Sequence, residues 1–79
     1  MEANLYSNQA NIYLNTLKDI KQMIVETEIE IIELKNTVNY CQFMGGEPSE
    51  TIKKNLAEAE HLHSLYIERW NATVKESIL

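Results

Sequence analysis

The sequence has little that stiffens, staples or breaks a chain. Among 79 residues glycine occurs twice and proline once. All three lie in one stretch, Gly45-Gly46-Glu47-Pro48, so the long segments on either side carry no helix breaker. Cysteine occurs once, so Cys41 has no intrachain disulfide partner and no staple offsets the small size. Basic residues are scarce: 7 Lys and Arg stand against 12 Asp and Glu, a net charge of −5. Nucleic-acid binders normally present a basic face, and this balance argues against one. Long apolar runs are missing too, since a membrane span needs roughly 18 such residues. The most apolar window, Met23 to Leu34, is broken by Glu26, Glu28, Glu30 and Glu33. Met1-Glu2-Ala3-Asn4 has no basic residue and no apolar segment follows it, which does not read as a secretory signal. Asn71-Ala72-Thr73 fits a glycosylation sequon, a coincidence in a chain read as cytoplasmic. No membrane and no nucleic acid are expected as partners.

What is present is periodic. Hydrophobic residues make up 44% of the chain, too many for simple disorder. In the first segment, alternate steps of three and four pick out Ala10, Tyr13, Leu17, Ile20, Ile24, Thr27, Ile31, Leu34, Val38 and Cys41. Only Thr27 is clearly polar, and the repeat is that of a coiled-coil-like helix. The second segment has its own stripe: Ile52, Leu56, Ala59, Leu62, Tyr66, Trp70, Thr73 and Val74. The punctuation between them holds glycines suited to a helix end, with Pro48 suited to a first turn and Ser49 to an N-cap. The reading is all-α, one domain over residues 1–79. It has a helix over about 10–44, a loop at 45–48 and a helix over about 49–77, with residues 1–9 as a frayed extension. Two helices joined by so short a loop run antiparallel, as a hairpin.

A hairpin of this size has one seam, and small single-core domains are marginal without a disulfide, a metal or a partner. Apolar residues also lie off the seam. Val25, Ile29 and Ile32 follow i, i+4, i+7 spacing and line one face, turned well away from Ile24 and Ile31. On the second helix Leu65 and Ala72 fall outside the main stripe. A second apolar face usually meets another helix. Two occupants fit: a second copy, giving a homodimeric four-helix bundle, or a different protein.

Chemistry-bearing groups read more plainly as structure. Glu60 and His63 make a Glu-x-x-His step of the kind that feeds di-iron bundles, but Glu26, Glu28, Glu30 and Glu33 all lie off the first seam, so the inward partner carboxylate is missing. His61 and His63 are two apart and point to different faces; His63 reads as a partly buried histidine. Asp19, Glu26, Glu30 and Glu33 form an acidic strip without the cleft that acid–base work needs. Lys18 and Lys21 flank the seam, and Glu50–Lys54 offers i, i+4 support. Cys41 sits on the seam, which favours an inert buried thiol. Gly45-Gly46 lacks the spacing and the Lys-Ser or Lys-Thr of a phosphate loop. No cofactor, no metal and no catalytic residue are expected.

In the second segment, Ala59-Glu60 leads through alternating aliphatic and polar residues to Tyr66-Ile67-Glu68-Arg69-Trp70-Asn71. With the hairpin layout, this resembles the small E-type co-chaperones of bacterial type III secretion needle subunits. The first helix is similar to theirs in length and amphipathicity; the longer polar N-terminus and the Gly45-Gly46 loop depart from them. The resemblance implies a soluble, non-enzymatic hairpin in the bacterial cytoplasm. It would bind and stabilise a tetratricopeptide-like partner chaperone, and the pair would keep the needle subunit from polymerising early. The residues expected to meet the partner are Val25, Ile29 and Ile32 with Leu65, while Tyr66 and Trp70 lock the hairpin or reach the partner. The alternative is a homodimeric four-helix-bundle structural or regulatory protein, such as a small phage or plasmid factor.

Overall fold

A computed structural model describes residues 2–78, with side-chain surroundings for residues 11–76. The described residues form two helices: α1, Glu2–Phe43, and α2, Glu50–Ile78. They pack on each other as an antiparallel hairpin. α1 has 42 residues and α2 has 29, about 63 and 44 Å at 1.5 Å per residue. The molecule measures 66 × 16 × 15 Å, so it is a rod as long as α1 alone.

α1 begins at Glu2, well ahead of the start expected near residue 10. Nothing from Glu2 to Phe43 is glycine or proline, so once the seam nucleates the helix no residue stops it from propagating toward the N-terminus. The turn is closed by backbone geometry. Gly46 N–H donates to the Cys41 carbonyl and Gly45 N–H to the Gln42 carbonyl, each at 3.0 Å. This is the paired pattern of a Schellman cap, and Gly45 takes the left-handed conformation it requires, with φ +81°. Ser49 caps α2: its Oγ accepts from Ile52 N–H at 3.2 Å. Its carbonyl accepts the first helical bond from Lys53 N–H at 3.1 Å. Pro48 therefore precedes the cap instead of opening the first turn. Glu50 pairs with Lys53 at 3.5 Å, in place of the Glu50–Lys54 step.

The α1 seam lies where its heptads put it. Tyr13, Leu17, Ile20, Ile24, Thr27, Ile31, Leu34, Val38 and Cys41 are buried or half-buried, and the residues between them are exposed. The side chain of Ala10 lies outside the described residues. Thr27, the polar seam position, donates its hydroxyl to the carbonyls of Met23 at 2.9 Å and Ile24 at 3.0 Å, so its burial leaves no polar group unsatisfied.

The α2 seam needs one correction. It runs Ile52, Leu56, Ala59, His63, Tyr66, Trp70 and Thr73, with Val74 also half-buried beside it; Leu62 is exposed and His63 takes its place. The repeat steps four, three, four, and after Ala59 the phase calls for four. A step of three to Leu62 would carry the stripe around the helix, off the line facing α1. His63 is half-buried, as a histidine with a polar tip on an apolar ring can be. Among the described residues, only Ile20, Thr27 and Ala59 are buried. The core is thus one seam wide.

Candidate protein interface

The six residues expected to meet a partner separate into two groups on the rod. Val25, Ile29 and Ile32 share the face of α1 turned away from the seam and are 43%, 51% and 52% exposed. Val25 also lines a shallow groove of about 300 Å³ with Lys21, Ile24, Ile67 and Trp70. The α1 stripe therefore continues across the groove onto α2 through Ile67 and the edge of Trp70. Leu65 does not join it. Leu65 lines a different groove, with Leu62, Tyr66 and Arg69.

Heptad phase shows that these grooves open on opposite flanks. Lys53, Glu60 and Ile67 are seven apart, hence on one flank of α2; Leu62 and Arg69, also seven apart, mark the other. On α1, Lys21 and Gln42 are three heptads apart and so share a flank. Gln42, Lys53 and Glu60 line a further groove with Val38, Glu47, Pro48, Leu56 and Ala57, of about 390 Å³, beside the turn. The groove beside the turn and the groove at Trp70 thus lie on the same flank of the rod, that of Ile67. They are separate, with Gln42 and Lys21 about 30 Å apart along α1.

Tyr66 and Trp70 are both seam residues, half-buried. They hold the hairpin together and each shows an edge to a different flank. Ile67 and Leu62 were not among the expected interface residues. The signal for Ile67 was its seven-residue spacing from Glu60 and Lys53, which only a fixed seam phase makes visible. Tyr40, Phe43 and Met44 at the end of α1 are also exposed, Phe43 by 85%. Their i, i+3, i+4 spacing marks a small apolar cluster beside the turn.

The charges of α1 differ between the two flanks as well. The α1 lysines Lys21 and Lys35 lie on the Ile67 flank with Glu28 between them, and Lys18 just beyond. Asp19, Glu26, Glu30 and Glu33 lie on the Leu62 flank. Asp19 and Glu26 line a shallow hollow with Gln22 and Met23, where Gln22 Nε2 donates to Glu26 Oε1 at 3.2 Å. Cys41 is a half-buried free thiol on the seam. His61 is exposed and His63 faces α1. Among the described residues no three His, Cys, Asp or Glu side chains come together as a metal cage, and no helix is long and apolar enough to cross a membrane. What the surface offers is apolar area bordered by charge, which suits binding.

No family model, characterised protein or solved structure matches the chain.

Proposed function

We propose that this hairpin is a non-enzymatic co-chaperone. It docks through the Val25–Ile29–Ile32 stripe onto a tetratricopeptide-like partner chaperone and stabilises it, and the pair keeps a secretion needle subunit soluble in the bacterial cytoplasm. The observation that carries the docking part is the position of that stripe. Three aliphatic side chains stand half-exposed on the face of α1 turned away from the seam, and Val25 opens onto Ile67 and Trp70. Among the described residues no other element covers them. Burying the exposed half of each side chain would contribute roughly 1 kcal/mol, and a helical-repeat surface supplies the complementary grooves. The identity of the cargo follows from the Tyr66–Asn71 resemblance.

Affinity purification from the native cell tests this, with every co-purifying protein identified. The expected result is a helical-repeat protein together with a short needle-like protein. The double substitution Ile29→Asp/Ile32→Asp should abolish their recovery while helix content by circular dichroism stays unchanged, because both side chains are off the seam. A complex that survives this change removes the stripe as the docking face. Recovery of the chain alone as a stable dimer would instead favour the four-helix bundle.

A further inference from the structure

The α1 stripe runs between two rows of charge, and those rows narrow down what covers it. Lys21, Glu28 and Lys35, seven apart, border it on the flank of the Ile67 groove, where Lys21 shares the lining with Val25 and Ile67. Asp19, Glu26 and Glu33, also seven apart, border it on the opposite flank, where Asp19 and Glu26 lie beside Met23. All six are exposed. In coiled-coil terms, Val25, Ile29 and Ile32 are core positions of a second seam, and the two rows occupy the flanking positions that set partner choice and orientation.

A second copy fits these rows badly. Suppose two stripes meet antiparallel, Val25 of one copy against Ile32 of the other. Like flanks then face each other: Lys21 opposes Lys35, Glu28 opposes Glu28, and Glu26 opposes Glu33. Every one of these pairs repels. Suppose instead that they meet in parallel. Lys21 then reaches Glu26 of the other copy, but Glu28 reaches Glu33, and the two effects cancel. Neither arrangement gains from charge, and the antiparallel one loses, which is how flanking charges reject a wrong partner.

We propose that the occupant is an amphipathic helix of a different chain, one that turns a row of Lys or Arg, spaced seven apart, toward Asp19, Glu26 and Glu33. That row is uniformly acidic, whereas the Lys21 row is mixed in sign, so the acidic flank dictates the partner's charge. The inference rests on the docking function above and adds the chemistry of the partner.

Two synthetic helical peptides of about 20 residues, long enough to span Asp19 to Glu33, test it against the full-length protein by fluorescence anisotropy. Both carry leucines along one stripe. One has lysines along the flank that meets Asp19, Glu26 and Glu33; the other has glutamates there. The lysine peptide should bind about tenfold more tightly at low salt, a few exposed pairs acting together, and the preference should shrink at high salt. Glu26→Lys/Glu33→Lys should invert the preference, and Ile29→Asp/Ile32→Asp should abolish binding of both peptides. Equal affinities, a preference for the glutamate peptide, a preference that survives Glu26→Lys/Glu33→Lys, or no binding of either would overturn the proposal. A native partner lost with Ile29→Asp/Ile32→Asp but indifferent to Glu26→Lys/Glu33→Lys would also overturn it, while leaving the docking function standing.

Discussion

Gly45 and Gly46 are adjacent and identical, yet the turn treats them differently. Gly45 sits at φ +81° with open space where a Cβ would be, while a Cβ on Gly46 would meet only the Cys41 carbonyl oxygen at 3.7 Å, an ordinary contact. The constraint at Gly45 is therefore conformational, and at Gly46 there is hardly one. Gly45→Ala should cost about 1 kcal/mol, a fall in melting temperature of about 4–8 °C for a domain of this size. Gly46→Ala should leave the melting temperature close to wild type. Thermal melts of the two variants side by side check this, and equal losses would mean that the Schellman geometry is wrong. Thr27 makes the same point for a polar residue: its hydroxyl is buried at no loss because the preceding turn of its own helix accepts it.

Each helix carries more than one stripe, and the seam phase decides which stripe is spent within the molecule. On α2 that phase takes His63 in and leaves Leu62 out. His63→Leu should accordingly stabilise the hairpin by about 1 kcal/mol, as filling a half-polar seam position adds apolar burial. Leu62→Ser should change stability by less than about 0.5 kcal/mol, the usual range for a surface substitution. Urea denaturation followed by circular dichroism measures both. A large loss from Leu62→Ser would return Leu62 to the seam. On α1 the phase spends Ile24 and Ile31 on α2 and leaves Val25, Ile29 and Ile32 exposed, which is why the candidate interface is a property of the element and not of single residues.

The whole molecule is a rod whose core is one seam wide. Among the described residues no large side chain is fully buried, and a chain of this size is close to the limit for folding on one core. The isolated hairpin should therefore melt in a broad, weakly cooperative transition. A partner that binds only the folded hairpin stabilises it by mass action, about 2.7 kcal/mol at a hundredfold excess over Kd. Differential scanning calorimetry with and without the captured partner reads this. A sharp transition at high temperature for the chain alone, independent of its concentration, would contradict a hairpin that needs completion.

Much of this was legible from the residues. The heptad phase of α1 located every described seam residue from Tyr13 to Cys41, because a period of three and four is a direct image of one helix face. The Gly45-Gly46 and Ser49 signals marked both helix ends, because capping is local chemistry. The N-terminal boundary was not legible, since nothing in residues 2–10 distinguishes a helix that continues from one that frays. The α2 phase was misread at Leu62 because hydrophobicity alone favours leucine over histidine.

The candidate interface was half legible. Val25, Ile29 and Ile32 were marked by their own spacing, but Leu65 was grouped with them although it opens on the opposite flank, and Ile67 was missed. The sequence by itself determined two helices, their caps and which residues are apolar, since these depend on neighbours a turn apart. Only the tertiary structure decided which of the competing stripes on α2 becomes the seam, and with it which flank carries Leu62, Leu65 and Ile67. That depends on how two separate helices rotate against each other, and no periodicity within one helix records it.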